Sequence, residues 1–159
     1  AVAQLAQAGK LKFSDPVGKF LPDYPNQEVA RKVTLHHLLT HTGGVGEIFT
    51  PEFEQNKEKF RELSDYVKAF GNRAPEFEPG ARFQYANYGM VLAGRIVEVV
   101  SGMNYYDYVR EKIFQPAGMK ASDSFWKTHK VAKLAPGYLG NGKRNQETLP
   151  MRGSAAGGG

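Results

Sequence analysis

Two side chains of the 159-residue sequence invite a chemical reading. Tyr85 and Asn87, a phenol and a primary amide two residues apart, stand at the entrance of an amphipathic run, FQYANYGMVLAGRIVEVVSG at 83–102. On local grounds Asn87 can serve as a helix N-cap and Tyr85 as the apolar residue that staples the helix start to the core. The chemical alternative is that a hydroxyl and an amide, held at a rigid helix terminus, both face a reaction site. An unperturbed phenol titrates at about 10, so Tyr85 can take or relay a proton near neutrality only beside a cation such as a lysine ammonium.

Other constellations are weaker. His37 and His41 have the i, i+4 spacing with which one helix can offer two imidazoles to a metal. The residues between them are Leu38, Leu39 and Thr40, with no acidic general base, so a polar helix end with His41 bonded near Gly43-Gly44 accounts for the pair and no metal is expected. A nucleophile elbow G-x-S-x-G is absent, the nearest run being GSAAG at 153–157. Ser124-Phe125-Trp126-Lys127 matches S-x-x-K, but that motif should open a buried apolar helix, and Pro136-Gly137 soon breaks this stretch. Ser124 therefore counts as a chance match.

The elements that must position these groups follow from periodicity. AVAQLAQAG has helical spacing and a terminal Gly9 but no capping residue before Ala1. KLKFSDPVGKFLPDYP, residues 10–25, is rich in turn formers and predicts a packed loop anchored by Leu11, Phe13, Val17, Phe20 and Leu21. Thr34 is a fitting N-cap for a short helix that ends at Thr42-Gly43-Gly44. One helix is expected over 52–70, with Phe60, Leu63, Val67 and Phe70 on its inner face and Gly71 at its stop. Pro79-Gly80 should turn the chain into a constrained path towards Tyr85. The next helix would bury Tyr88, Val91, Leu92, Ile96, Val99 and Val100 and close at Gly102; Asn104 then caps another that runs to Pro116. Beyond residue 120 the chain is looser, with a short strand or a hairpin expected about Gly140-Asn141-Gly142.

Composition narrows the classes. There is no cysteine, which excludes disulfides, Cys-ligated zinc and a thiol nucleophile. No apolar run approaches the ~18 residues of a membrane span. The net charge of +5 raises nucleic-acid binding. Most Lys and Arg, however, alternate with acids, and the exception, Lys127, Lys130, Lys133, Lys143 and Arg144, has no accompanying recognition motif. No nucleic-acid partner is expected.

In their order these landmarks resemble the serine β-lactamase-like hydrolases, the family of class C β-lactamases, DD-carboxypeptidases and related esterases. GKLKFSDPVGKFLPDYP is similar to the segment after that family's nucleophile helix, VTLHHLLTHTGG to its signature helix and turn, and FEPGARFQYANYGMVLAGRIVEVVSG to its second catalytic motif. YVREKIFQPAGMKAS resembles the helix and turn that follow, and GSAAGGG the start of a later helix. The resemblance implies that Tyr85 is a general base or proton relay for a serine nucleophile, and that Asn87 is both catalytic and substrate-binding, donating to the substrate's amide carbonyl. It implies no cofactor.

The chain departs from the family in two places. The family's S-x-x-K would precede Ala1, and its Lys-Thr-Gly or His-x-Gly strand would follow Gly159. WKTHK at 126–130 has the Lys-Thr without the Gly. The expectation is therefore one incomplete domain, a piece of a larger protein. It is mainly α with a few short strands, the helical lobe of the β-lactamase/DD-peptidase-like α+β fold: the tail of the nucleophile helix at 1–9, a linker at 10–33, the helical lobe at 34–119 and a loop-rich return at 120–159. The expected function is hydrolysis of an amide, β-lactam or ester through an acyl-serine, with the 159 residues inactive alone and prone to self-association through exposed apolar surface. The competing class is a non-catalytic binding or scaffold module. The family resemblance further implies a bacterial periplasmic or cell-envelope setting and a small-molecule or peptide substrate.

Overall fold

A computed structural model describes residues 1–145, 151–153 and 155. Eight α-helices are present among them: α1 (Val2–Gln7), α2 (Val17–Phe20), α3 (Gln27–Lys32), α4 (Leu35–Leu39), α5 (Pro51–Asn56), α6 (Leu63–Phe70), α7 (Asn87–Ser101) and α8 (Tyr105–Val109). A 3-10 turn, Lys57–Lys59, follows α5, and a π-helical turn, Arg110–Phe114, follows α8. Instead of the few strands expected, the described residues hold only isolated antiparallel bridges, Pro16 with Thr34, Trp126 with Arg152 and Tyr138 with Arg144. The last of these closes a hairpin about Gly140-Asn141-Gly142, one of the two forms expected there, and Leu139 N–H donates to the Lys143 carbonyl at 2.8 Å.

The fifteen-residue α7 is the axis, packed by α1, α2, α4, α6 and α8. Surrounded in this way, it buries more than one stripe: Tyr88, Val91, Leu92, Ile96 and Val97 are inside with Gly89, Ala93 and Gly94, whereas Val99, expected inside, is exposed. Near its far end the Glu98 carboxylate, itself buried, pairs with Arg95 at 2.8 Å and accepts the Tyr105 N–H that opens α8 at 3.0 Å. Phe53, Phe60, Tyr66 and Phe70 stack in an aromatic cluster that reaches Tyr88 at the start of α7. The Tyr88 hydroxyl lies 3.1 Å from that of buried Tyr24, so two polar groups without access to water satisfy each other.

Three expectations about the elements are corrected. Residues 10–25 are not simply loop, because they contain α2, which lies against α3, itself capped by Asn26 accepting from Glu28 N and Val29 N. The 52–70 run is two helices. Asp65 accepts from the amides of Arg61 and Glu62, and this local cap makes 63–70 start afresh, while Phe60 turns to extended backbone and still buries its ring. Finally, α4 stops at Leu39, sooner than Thr42-Gly43-Gly44 suggests. Its start is as expected: Thr34 Oγ1 accepts from His37 N, and Thr34 N–H donates back to His37 Nδ1, each at 3.3 Å. The helix start expected within 153–159 lies largely outside the described residues.

Candidate active site at the entrance of α7

The site is assembled by the chain that leaves α4. His41 adopts φ +55°, a left-handed conformation uncommon for a residue with a side chain. From there residues 41–44 run beside 76–84, joined by Gln84 N–H to the His41 carbonyl, Gly80 N–H to that of Thr42 and Glu76 N–H to that of Gly44, each 2.8 Å. The approach is close enough to demand glycine at 44. Its φ is +66°, and a Cβ there would lie 2.7 Å from the Phe77 carbonyl oxygen.

His41 then brackets the start of α7. Its Nδ1 accepts the Ala86 N–H at 3.3 Å, and its ring lies 4.4 Å from that of Tyr85, centroid to centroid, with Phe83 edge-on at 5.9 Å. Tyr85 is 57% exposed, so it is not a staple to the core; its ring lies against the His41 imidazole. That hydroxyl donates to Asn87 Oδ1 at 3.3 Å.

Asn87 is not the N-cap either. Ala86 occupies the cap position, and the capping oxygen comes from Glu47, forty residues earlier: Oε2 accepts from Asn87 N at 3.2 Å and from Asn87 Nδ2 at 2.8 Å. A carboxylate there meets the unsatisfied amides and positive end of α7. Glu47 is fixed in turn, since Oε1 accepts from Ile48 N at 2.6 Å and Phe49 N at 3.4 Å, and Arg73 donates to its carbonyl at 2.7 Å. The Tyr85 hydroxyl and the Asn87 amide thus meet at the start of α7, and His41 and Glu47 join them without having been singled out for this role. The LLTHTGG landmark contained His41, but nothing in the sequence marks Glu47.

The weaker candidates disperse. His41 lies past the end of α4, so the i, i+4 geometry with His37 is not formed, and no cluster of metal-ligating side chains occurs among the described residues. Ser124 to Lys127 is non-helical, so a lysine three positions on is not one helical turn away. Lys127 forms an ion pair with Glu58 at 2.9 Å. A hollow of about 500 Å³ between Phe114 and Gly153, lined by Phe125, Trp126 and Arg152 among others, includes none of Tyr85, Asn87, His41 or Glu47. Among the described residues no helix is long and apolar enough to cross a membrane.

The whole chain, residues 1–159, matches the model of the Beta-lactamase family. The protein belongs to that family. Penicillin-binding protein 4 of Amycolatopsis lactamdurans is 30% identical over 152 residues, 94% of this chain but 39% of the relative. Among solved structures, a penicillin-binding protein from Bacillus halodurans superposes with a TM-score of 0.85 at 40% identity, covering 98% of this chain and 50% of the other. A D-stereospecific amidohydrolase from Streptomyces gives 0.77 at 26% identity, covering 98% and 51%. The chain therefore spans about half the length of these solved structures, and less of the curated relative. Solved structures with amidohydrolase and penicillin-binding names thus superpose on nearly the whole chain.

Proposed function

We propose that residues 1–159 are the helical lobe of a serine hydrolase. Tyr85 and Asn87 face a serine-lysine pair supplied by chain outside these residues. The enzyme cleaves an amide, β-lactam or ester bond. The serine Oγ forms a bond to the substrate carbonyl carbon, and its proton passes through the Tyr85 hydroxyl and the lysine to the leaving nitrogen or oxygen as that bond breaks. Water then attacks the acyl-serine by the same relay. Asn87, with one Nδ2 hydrogen on Glu47, has its second available for the substrate's amide carbonyl.

The observation that carries this reading is that Tyr85 is an exposed residue whose hydroxyl lies 3.3 Å from Asn87 Oδ1, with its ring held against His41. A residue that only stapled the helix would be buried. The relatives' names support an acyl-transfer chemistry on amides and penicillins, and a cell-envelope setting accords with them. The test is Tyr85→Phe in the full-length protein, with acylation by a fluorescent penicillin and turnover of a p-nitrophenyl ester as readouts. Both should fall by roughly 100-fold or more. Unchanged rates would remove Tyr85 from the chemistry, and penicillin binding without a covalent adduct in the unmodified protein would point to a binding module instead.

A further inference from the structure

We infer that Glu47 is a positioning residue for this reaction, acting through Asn87 rather than on the substrate. The inference rests on the reading of Tyr85 and Asn87 given above.

Its basis is the direction of hydrogen bonds. An ionised carboxylate only accepts, so whatever approaches Glu47 Oε2 must be a donor. Asn87 has a choice, because its amide carries an acceptor oxygen and a donor nitrogen that exchange places on a half turn of the terminal torsion. At 2.8 Å from Oε2, only the nitrogen is tolerated. The turned amide would set Oδ1 against the carboxylate and leave a repulsive pair in place of a charge-assisted bond. With Nδ2 committed to Glu47, Oδ1 must face Tyr85, and the Tyr85 hydroxyl donates into it. One charged group thereby fixes the polarity of two bonds: Asn87 keeps a donor for a substrate carbonyl, and the lone pairs of Tyr85 are turned away from Asn87.

Glu47 is equipped to hold that orientation. Its two oxygens accept four N–H groups, from Ile48 and Phe49 on Oε1 and from the main chain and side chain of Asn87 on Oε2. Arg73 pins its carbonyl. An amide of the same size cannot replace it, because Glu47→Gln presents an NH2 to one of the two donor pairs. With the NH2 towards Asn87, that residue loses its acceptor and is free to turn; with it towards 48–49, the turn that holds residue 47 in place loses its own.

A four-member cycle in the full-length protein tests this: unmodified, Glu47→Gln, Asn87→Ala and the double variant, each acylated to completion with a fluorescent penicillin. The final amplitude counts folded sites, so partial unfolding lowers amplitude and leaves the rate of the remainder intact. The expected result is that Glu47→Gln slows acylation about 10- to 100-fold when Asn87 is present, and by no more than about twofold when residue 87 is alanine. An equal loss in both backgrounds, or no loss in the first while Asn87→Ala is slow, overturns the role of Glu47 alone. An Asn87→Ala variant that acylates at the normal rate overturns the role of Asn87, and that of Glu47 with it.

Discussion

Single side chains in this protein take on tasks usually given to others, and His37 is a case that can be measured. It stands in the reciprocal cap of α4 where glutamate or glutamine is usual, accepting the Thr34 N–H on Nδ1. Only a neutral imidazole can do so. Partial burial, and then the neighbouring His36, hold its pKa below the ordinary 6.5. Below pH 6.5 the unfolded chain takes up the proton first, so the cap's contribution is complete above 6.5 and declines as pH falls from there towards the lower folded value. Unfolding measured at pH 7.5 and pH 5 should show this loss in the unmodified protein and not in His37→Gln, which keeps an acceptor at both. Thr34→Ala should cost about 1 kcal/mol at either pH. The same scale explains what could be read in advance. Tyr85 and Asn87 can be singled out as candidates because their types and spacing at a helix entrance are local information. His41 and Glu47 bond to the start of α7 across 45 and 40 residues, and a single sequence gives no pairing at that distance.

Elements here are short, and their ends are set by neighbours. Most of the helices have eight residues or fewer, too few to persist without tertiary support. That is why periodicity found α7 and its Gly102 stop, yet merged α5 with α6 and missed α2 and α3: the apolar spacing of Phe60, Leu63, Val67 and Phe70 is helical, but the carboxylate of Asp65 interrupts the backbone between the first and the rest. Short elements can also approach closely. At Gly18, in α2, a Cβ would lie 2.9 Å from the Ala30 carbonyl oxygen and 3.1 Å from its Cβ, so Gly18→Ala must push α2 from α3. A loss of about 1–3 kcal/mol is expected by thermal or urea unfolding. Gly89→Ala, whose new methyl would meet the Leu38 oxygen at 3.3 Å between α7 and α4, should cost less. If the two rank the other way, the α2–α3 contact is looser than these distances imply.

For the molecule as a whole, surface composition is the telling property. Phe83 and Leu134 are each 67% exposed, and Phe49 and Tyr138 nearly as much; we propose that these large apolar side chains promote self-association of the 159 residues. A polypeptide limited to these 159 residues should bind a hydrophobic dye and sediment as more than a monomer at high concentration, while showing no mass increment after incubation with penicillin. A monodisperse, dye-silent monomer would mean that these side chains are covered in solution, and a penicillin adduct would place a nucleophile within the chain. The hydroxyl contact between Tyr24 and Tyr88 bears on the assembled molecule too. Tyr88 follows Asn87 directly, so its buried bond to Tyr24 sets the rotational phase of α7. A helix slipped by one residue turns by about 100°, which would bring Asn87 round to the aromatic interior and break the hydroxyl pair. The tyrosine pair thus acts as an index mark, admitting one angular setting of the axis and so determining which side chains emerge at its mouth.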